Sequence, residues 1–274
     1  MKLSRKTITA VLVGMILIVA LCAFTFPAFP WICKSTVATV TVKDELRTGL
    51  TPIGKCLYVY GGGWNEEDTG AGTEAMTRGL SAQWEKFYNQ NGSDYDFNTT
   101  RYQVHDGLDC TGYVGWLMYQ LFGDKYSKDG YVFASSKVAE NYAALFGSSI
   151  LPREEVVNRR SGDIMAAKGH VYIVVGQCDD GSIVILHASV PSVSLAGTAD
   201  RNGNADSQAA RLAKQYMEQY FPEEAAKYHN YLRDNPDYLN NYDEIVWSDS
   251  VLADPDHYRE MSAEEILQDL FADF

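Results

Sequence analysis

Apolar and polar positions divide the chain into segments of different character. Residues 8–26 are a long, uncharged, apolar run behind Lys2, Arg5 and Lys6. That run is long enough to span a bilayer as a helix, with its positive flank cytoplasmic and everything after it outside. The pattern favours an uncleaved transmembrane anchor within residues 1–34 over a cleaved signal peptide. The apolar core is long, and no small-x-small cleavage site follows it. Residues 35–50 then read as a juxtamembrane linker with some strand character at Val37, Val40 and Val42.

The strongest apolar segment after that is residues 108–122, LDCTGYVGWLMYQLF. Apolar side chains surround it, which predicts a helix buried on most sides. Gly107 and Asp109 punctuate its start and Gly123 its end. Ahead of it, residues 56–65 (CLYVYGGGWN) read as a strand ending in a glycine turn. Residues 74–88 place Met76, Leu80, Trp84 and Phe87 at near-helical spacing, and residues 89–101 are polar and turn-rich. Residues 135–146 predict a helix capped by serine and closed at Gly147. Two β-branched runs, 163–176 and 181–188, flank Asp179-Asp180-Gly181, a hairpin signal. Residues 190–195 predict a third strand. An antiparallel sheet packed on the helix that carries Cys110 is an α+β arrangement. Farther on, Ala209, Leu212, Ala213, Tyr216, Met217 and Tyr220 form an amphipathic stripe. Residues 242–247 suggest a late strand, and Ser262 with Glu265 sits in capping-box register before a short helix. Residues 199–274 are therefore expected to be a mostly helical extension packed on a domain spanning 51–198.

Composition narrows the classes. Hydrophobic content of 46% and charged content of 22% are ordinary for a globular protein. A formal net charge of −13 argues against nucleic acid as a partner, since phosphate binding needs clustered Lys and Arg. Five cysteines are present: Cys22, Cys33, Cys56, Cys110 and Cys178. They show no CxxC or Cys/His metal spacing, so no zinc site is expected. A Cys56–Cys178 disulfide is left open. Residues 200–206 (DRNGNAD) have the alternating oxygens of a calcium loop, but the glycine is misplaced and Arg211 stands where a Glu is needed. A polar turn is the better reading.

Candidate chemistry centres on Cys110. A cysteine on the first helical turn sits beside unpaired backbone N–H groups and the positive end of the dipole. Both favour thiolate, the nucleophilic form. A buried structural cysteine is the plain alternative. His170 stands directly before one β-branched run, and His187 ends the next. Nucleophile, base and orienter in that order is the logic of cysteine hydrolases. His105 lies closer to Cys110 in sequence, but it has no strand to hold it across a cleft.

Four motifs carry a resemblance: YVYGGG at 58–63, LDCTGYV at 108–114, GDIMAAKGHVYIVVG at 162–176 and LHAS at 186–189. In this order the chain resembles the NlpC/P-sixty family of papain-like cell-wall cysteine peptidases. The resemblance spans most of residues 50–195. Residues 66–106 depart from it as an insertion, and the tail lies outside it. It implies a papain-like catalytic domain with Cys110 as nucleophile, His170 as base and His187 as orienter. It also implies that Tyr58 and Asp109 hold the free amine of the substrate; packing for Tyr58 and a helix N-cap for Asp109 are the alternative readings. The implied substrate is a peptidoglycan stem peptide, cut between D-glutamate and the following diamino acid, with no metal or organic cofactor. An amidase on the same scaffold and a non-catalytic wall-binding module are the alternatives. The implied location is extracytoplasmic, membrane-anchored or secreted.

Overall fold

The structure, a computed structural model, describes residues 39–272. The expected anchor at 1–34 lies outside the described residues. Among the described residues, no helix is long and apolar enough to cross a membrane.

The fold is mixed α+β. Its strands are β1 Leu57–Tyr58, β2 Gly107–Leu108, β3 Ser149–Leu151, β4 Ile164–Ala167, β5 His170–Gln177, β6 Ile183–Ser189, β7 Ser192–Thr198, β8 Leu232–Arg233 and β9 Asp243–Val246. They form one sheet in the order β2-β1-β7-β6-β5-β4-β9-β3, with β8 beside β7. The strands β4 to β7 are an antiparallel meander. Its turns use glycine where the backbone needs positive φ: Gly169 at 104° between β4 and β5, and Gly181 at 80° between β5 and β6. Residues 171–176, 183–188 and 192–198 are all buried. Both faces of the sheet are therefore covered, which explains continuous Val and Ile runs in place of strict alternation.

One face carries the larger core. The helix α3, Cys110–Phe122, packs against β5 and β6. Beside it lie α1 (Val42–Leu50) on α3, α5 (Gln208–Tyr220) on β7 and α8 (Ala263–Leu270) on β5. The opposite face buries Met165, Tyr172, Val174, Ile183, Ile185 and Ala196 beneath Leu239 and Tyr242. Between these elements run α2 (Ala82–Gln90), α4 (Val138–Phe146), α6 (Pro222–Tyr228) and the single-turn α7 (Asp237–Asn240).

Several expectations are corrected. Residues 42–50 are not a linker with strand character. They form α1, closed at its start by a Thr41/Asp44 capping box, and they bury Val42, Leu46 and Leu50 along one stripe. The segment 74–88 is not one helix but a 3₁₀ turn, Glu74–Met76, followed by α2 with Ser81 as its cap. The run 163–176 is two strands, broken at Lys168-Gly169. The helix at 135–146 starts at Val138 and lacks a side-chain cap, while Gly147 ends it in the left-handed region as expected. The tail is not helical alone. It adds β8 and β9 to the sheet, and β9 pairs with both β3 and β4.

Candidate active site

The site is built on the start of α3. Asp109 caps the helix, its carboxylate accepting from the Gly112 N–H at 2.7 Å and from the Thr111 hydroxyl at 2.9 Å. Trp64 donates from its indole to the Thr111 hydroxyl at 3.0 Å. The Asp109 N–H donates to the Gly62 carbonyl at 2.9 Å. The glycine run passes against the helix with no room for side chains. A Cβ on Gly112 would stand 2.0 Å from the Gly62 oxygen, and one on Gly62 would stand 2.4 Å from the Gly107 oxygen. Backbone contact, rather than side-chain packing, thus locks the 58–63 segment beside Cys110.

Cys110 lies 7% exposed on the floor of a groove of about 540 Å³. Tyr58, Tyr60, Asp109, Phe133, Ser135 and Asn141 are among the residues that line it. The Tyr58 ring leans edge-on against Phe97 at 5.9 Å. The sulfur faces the backbone N–H of Val171, the residue after His170 in β5. The helix start favours the thiolate, and burial acts against it. Burial pushes the thiol pKa well up, the Asp109 carboxylate adds to that, and the N–H groups of Val171 and Thr111 offset only part of it. Asp109 itself is pushed up to about 6, chiefly by burial.

The imidazoles sit on the two central strands. His170 Nε2 is 3.0 Å from His187 Nδ1. His187 is fully buried, paired across β6 and β7 with Ser194. Its other nitrogen, Nε2, accepts from Arg233 Nε at 3.0 Å. Burial, then the Arg233 charge, push His170 down to about 3 and His187 well below the usual histidine range. The Tyr238 and Tyr242 rings flank His170, with centroids 5.6 and 6.4 Å away. Both tyrosines also lie within electrostatic reach of the Cys110 sulfur. The thiol thus meets β5 through the backbone of Val171, one residue after His170, and no direct Cys110–His170 hydrogen bond forms among the described residues.

Of the five residues singled out from sequence, Tyr58, Asp109 and Cys110 line one groove, and His170 and His187 bond each other on adjacent strands, the thiol meeting the backbone N–H of Val171, next to His170. His105 goes elsewhere, bonding Glu74 at 2.8 Å and Glu66 at 3.5 Å on an exposed surface. Cys56 and Cys178 are both free, so the pairing left open between them does not form. Among the described residues no cluster of His, Cys, Asp and Glu could hold a metal ion. Sequence reasoning missed Arg233, Tyr238 and Tyr242. Arg233 stands in a polar Leu-Arg-Asp-Asn stretch that gives no sign of burial, whereas the tyrosine-rich tail was visible but carried no position.

A buried thiol beside a linked imidazole pair, opening into a groove, is equipped for nucleophilic acyl transfer. Set against known proteins, the chain matches no family model, no curated protein and no solved structure.

Proposed function

We propose that the chain is a cysteine hydrolase, with Cys110 as nucleophile and His170, steadied by His187, as base. The observation that carries this reading is the 3.0 Å His170–His187 link, standing on adjacent strands behind a groove-floor cysteine. More particularly, it is an endopeptidase for peptidoglycan stem peptides. The four motifs support that choice, as does an α+β core in which a cysteine-bearing helix packs on an antiparallel sheet. The core is then papain-like and of the NlpC type, held outside the cytoplasm by the N-terminal segment.

In this mechanism the Cys110 proton passes to His170 as the sulfur attacks the scissile carbonyl carbon. Backbone N–H groups at the start of α3 receive the developing oxyanion. Collapse of the intermediate breaks the C–N bond, and His170 returns the proton to the leaving amine. A thioester remains, and water, deprotonated by the same imidazole, releases the acid. Asp109 and Tyr58 hold the substrate's free amine, which places the bond after D-glutamate at the sulfur. The raised pKa of Asp109 is no obstacle, because a cationic amine beside it favours the carboxylate.

The test is digestion of purified muropeptides with mass spectrometry of the fragments. New diamino-acid amino termini are expected, and loss of cleavage by a factor on the order of 10³ or more in Cys110→Ala. Free lactyl ends would assign an amidase instead, and undiminished cleavage by Cys110→Ala would sink the proposal.

A further inference from the structure

Arg233 is partly buried and forms no salt bridge among the described residues. Its guanidinium is fixed by the Leu232 carbonyl at 2.7 Å and by the Asn230 side-chain oxygen. A buried cation with no carboxylate in salt-bridge contact is costly, and the Tyr238 hydroxyl and the Asp234 charge offset that burial only in part. This one directs its Nε–H at an imidazole nitrogen.

The direction of that bond has a chemical consequence. A guanidinium only donates, so His187 Nε2 must carry a lone pair. Neutral His187 then has its proton on Nδ1 and donates it to His170 Nε2 across 3.0 Å. Neutral His170 is left with its own proton on Nδ1, the one ring nitrogen not engaged by His187. A ring protonated there has no free lone pair to receive a proton from the thiol. We propose that Arg233 is a positioning residue that locks the imidazole pair in this tautomer, so that the resting site is a neutral thiol beside an imidazole that cannot act as base. The inference rests on the hydrolase reading for its purpose, but the proton positions follow from the hydrogen bonds alone.

Activation is then a tautomer exchange without net gain or loss of protons. When the guanidinium leaves His187 Nε2, that nitrogen takes a proton from water. The His187 Nδ1 proton crosses to His170 Nε2, and His170 Nδ1 yields its proton to water. His170 Nδ1 becomes a free acceptor for the thiol proton. The groups facing this pair are Tyr172 from β5 and Arg233, Tyr238 and Tyr242 from the tail, with Asp234 acting on Arg233, while Asp109 and Tyr58 act on the Cys110 sulfur. Among these, Arg233 alone is cationic and alone bonds an imidazole. It sits on β8, a two-residue strand joined to β7 by the pairs Gly197–Leu232 and Thr198–Arg233.

The direct test is long-range ¹H–¹⁵N correlation on the full-length chain with ¹⁵N-labelled histidine at neutral pH. His170 and His187 are both expected as the Nδ1–H tautomer. His170 found as Nε2–H in the wild type would overturn the proposal. The second readout is the pH profile of Cys110 alkylation by iodoacetamide, which needs no substrate. Arg233→Met should alkylate about tenfold faster at pH 7, with its profile displaced to lower pH. Arg233→Lys, which keeps a cationic donor, should stay near the wild type. A folded Arg233→Met variant that alkylates at the wild-type rate or slower would overturn the lock, and if that variant does not fold, the wild-type tautomers still decide. Failure of muropeptide cleavage would sink the hydrolase reading while leaving these two measurements intact.

Discussion

The two sides of the groove are built by opposite means. The thiol side is backbone against backbone: the 58–63 segment and its glycines pressed on the start of α3, with a carbonyl 2.0 Å from where a Gly112 Cβ would be. The imidazole side is side chain against side chain, with His170, His187, Arg233, Tyr238 and Tyr242 meeting from β5, β6, β8, α7 and the turn before β9. Backbone sterics leave one arrangement. A chain of donors and acceptors has at least two, because each imidazole can carry its proton on either nitrogen. The first side fixes where the sulfur stands, and the second decides whether its proton can leave.

Removing the tail from residue 230 onward breaks the comparison most severely. It deletes β8, β9 and α8 and uncovers the face under Leu239 and Tyr242. The truncated chain is expected to lose its cooperative unfolding transition, measured by circular dichroism in urea. Retention of that transition would show the tail to be an appendage. On the thiol side, Gly112→Ala should cost about 3 kcal/mol or more in urea unfolding, since only backbone can move aside. His187→Ala acts on the imidazole side and should lower kcat/KM on muropeptides by about 10²-fold with little change in KM.

The smallest expected effect is a pH dependence of stability. Glu244 on β9 is 1% exposed and pushed up to about 7, by burial and then by the neighbouring Asp163 charge. Its proton is held more tightly in the folded chain than in the unfolded one. The associated stability is complete below the ordinary glutamate range and is lost as pH rises through about 7. Unfolding free energy should thus fall by about 2 kcal/mol from pH 5 to pH 7.5, and Glu244→Gln should flatten the slope. Fully buried Glu45, raised by burial and by the same Asp163, adds in the same direction.

The thiol side was legible in the sequence for the reason that makes it rigid. Glycines, an N-cap aspartate and an apolar helix each leave a local signature, and the helix bounds agree with the pattern around Cys110. The hairpin turn at Gly181 and the Ser262/Glu265 capping box were legible on the same grounds. Local signatures failed where contacts are distant. Val42, Leu46 and Leu50 form a helical stripe nine residues long, and the valines at 37, 40 and 42 read as strand until α3 supplies the surface that the stripe covers. Lys168-Gly169 breaks a continuous β-branched run because the chain must turn to pair Ala167 with His170. Arg233 was invisible because its partner, His187, lies 46 positions away and nothing local marks the contact.

The most direct test of the account is the turnover of purified muropeptides by the full chain beside its Cys110→Ala variant, with unfolding curves to match their stability. The account predicts steady release of peptide fragments by the native chain and none above background from the equally folded variant. Equal release by both, or none by either across pH 5 to 9, would contradict it.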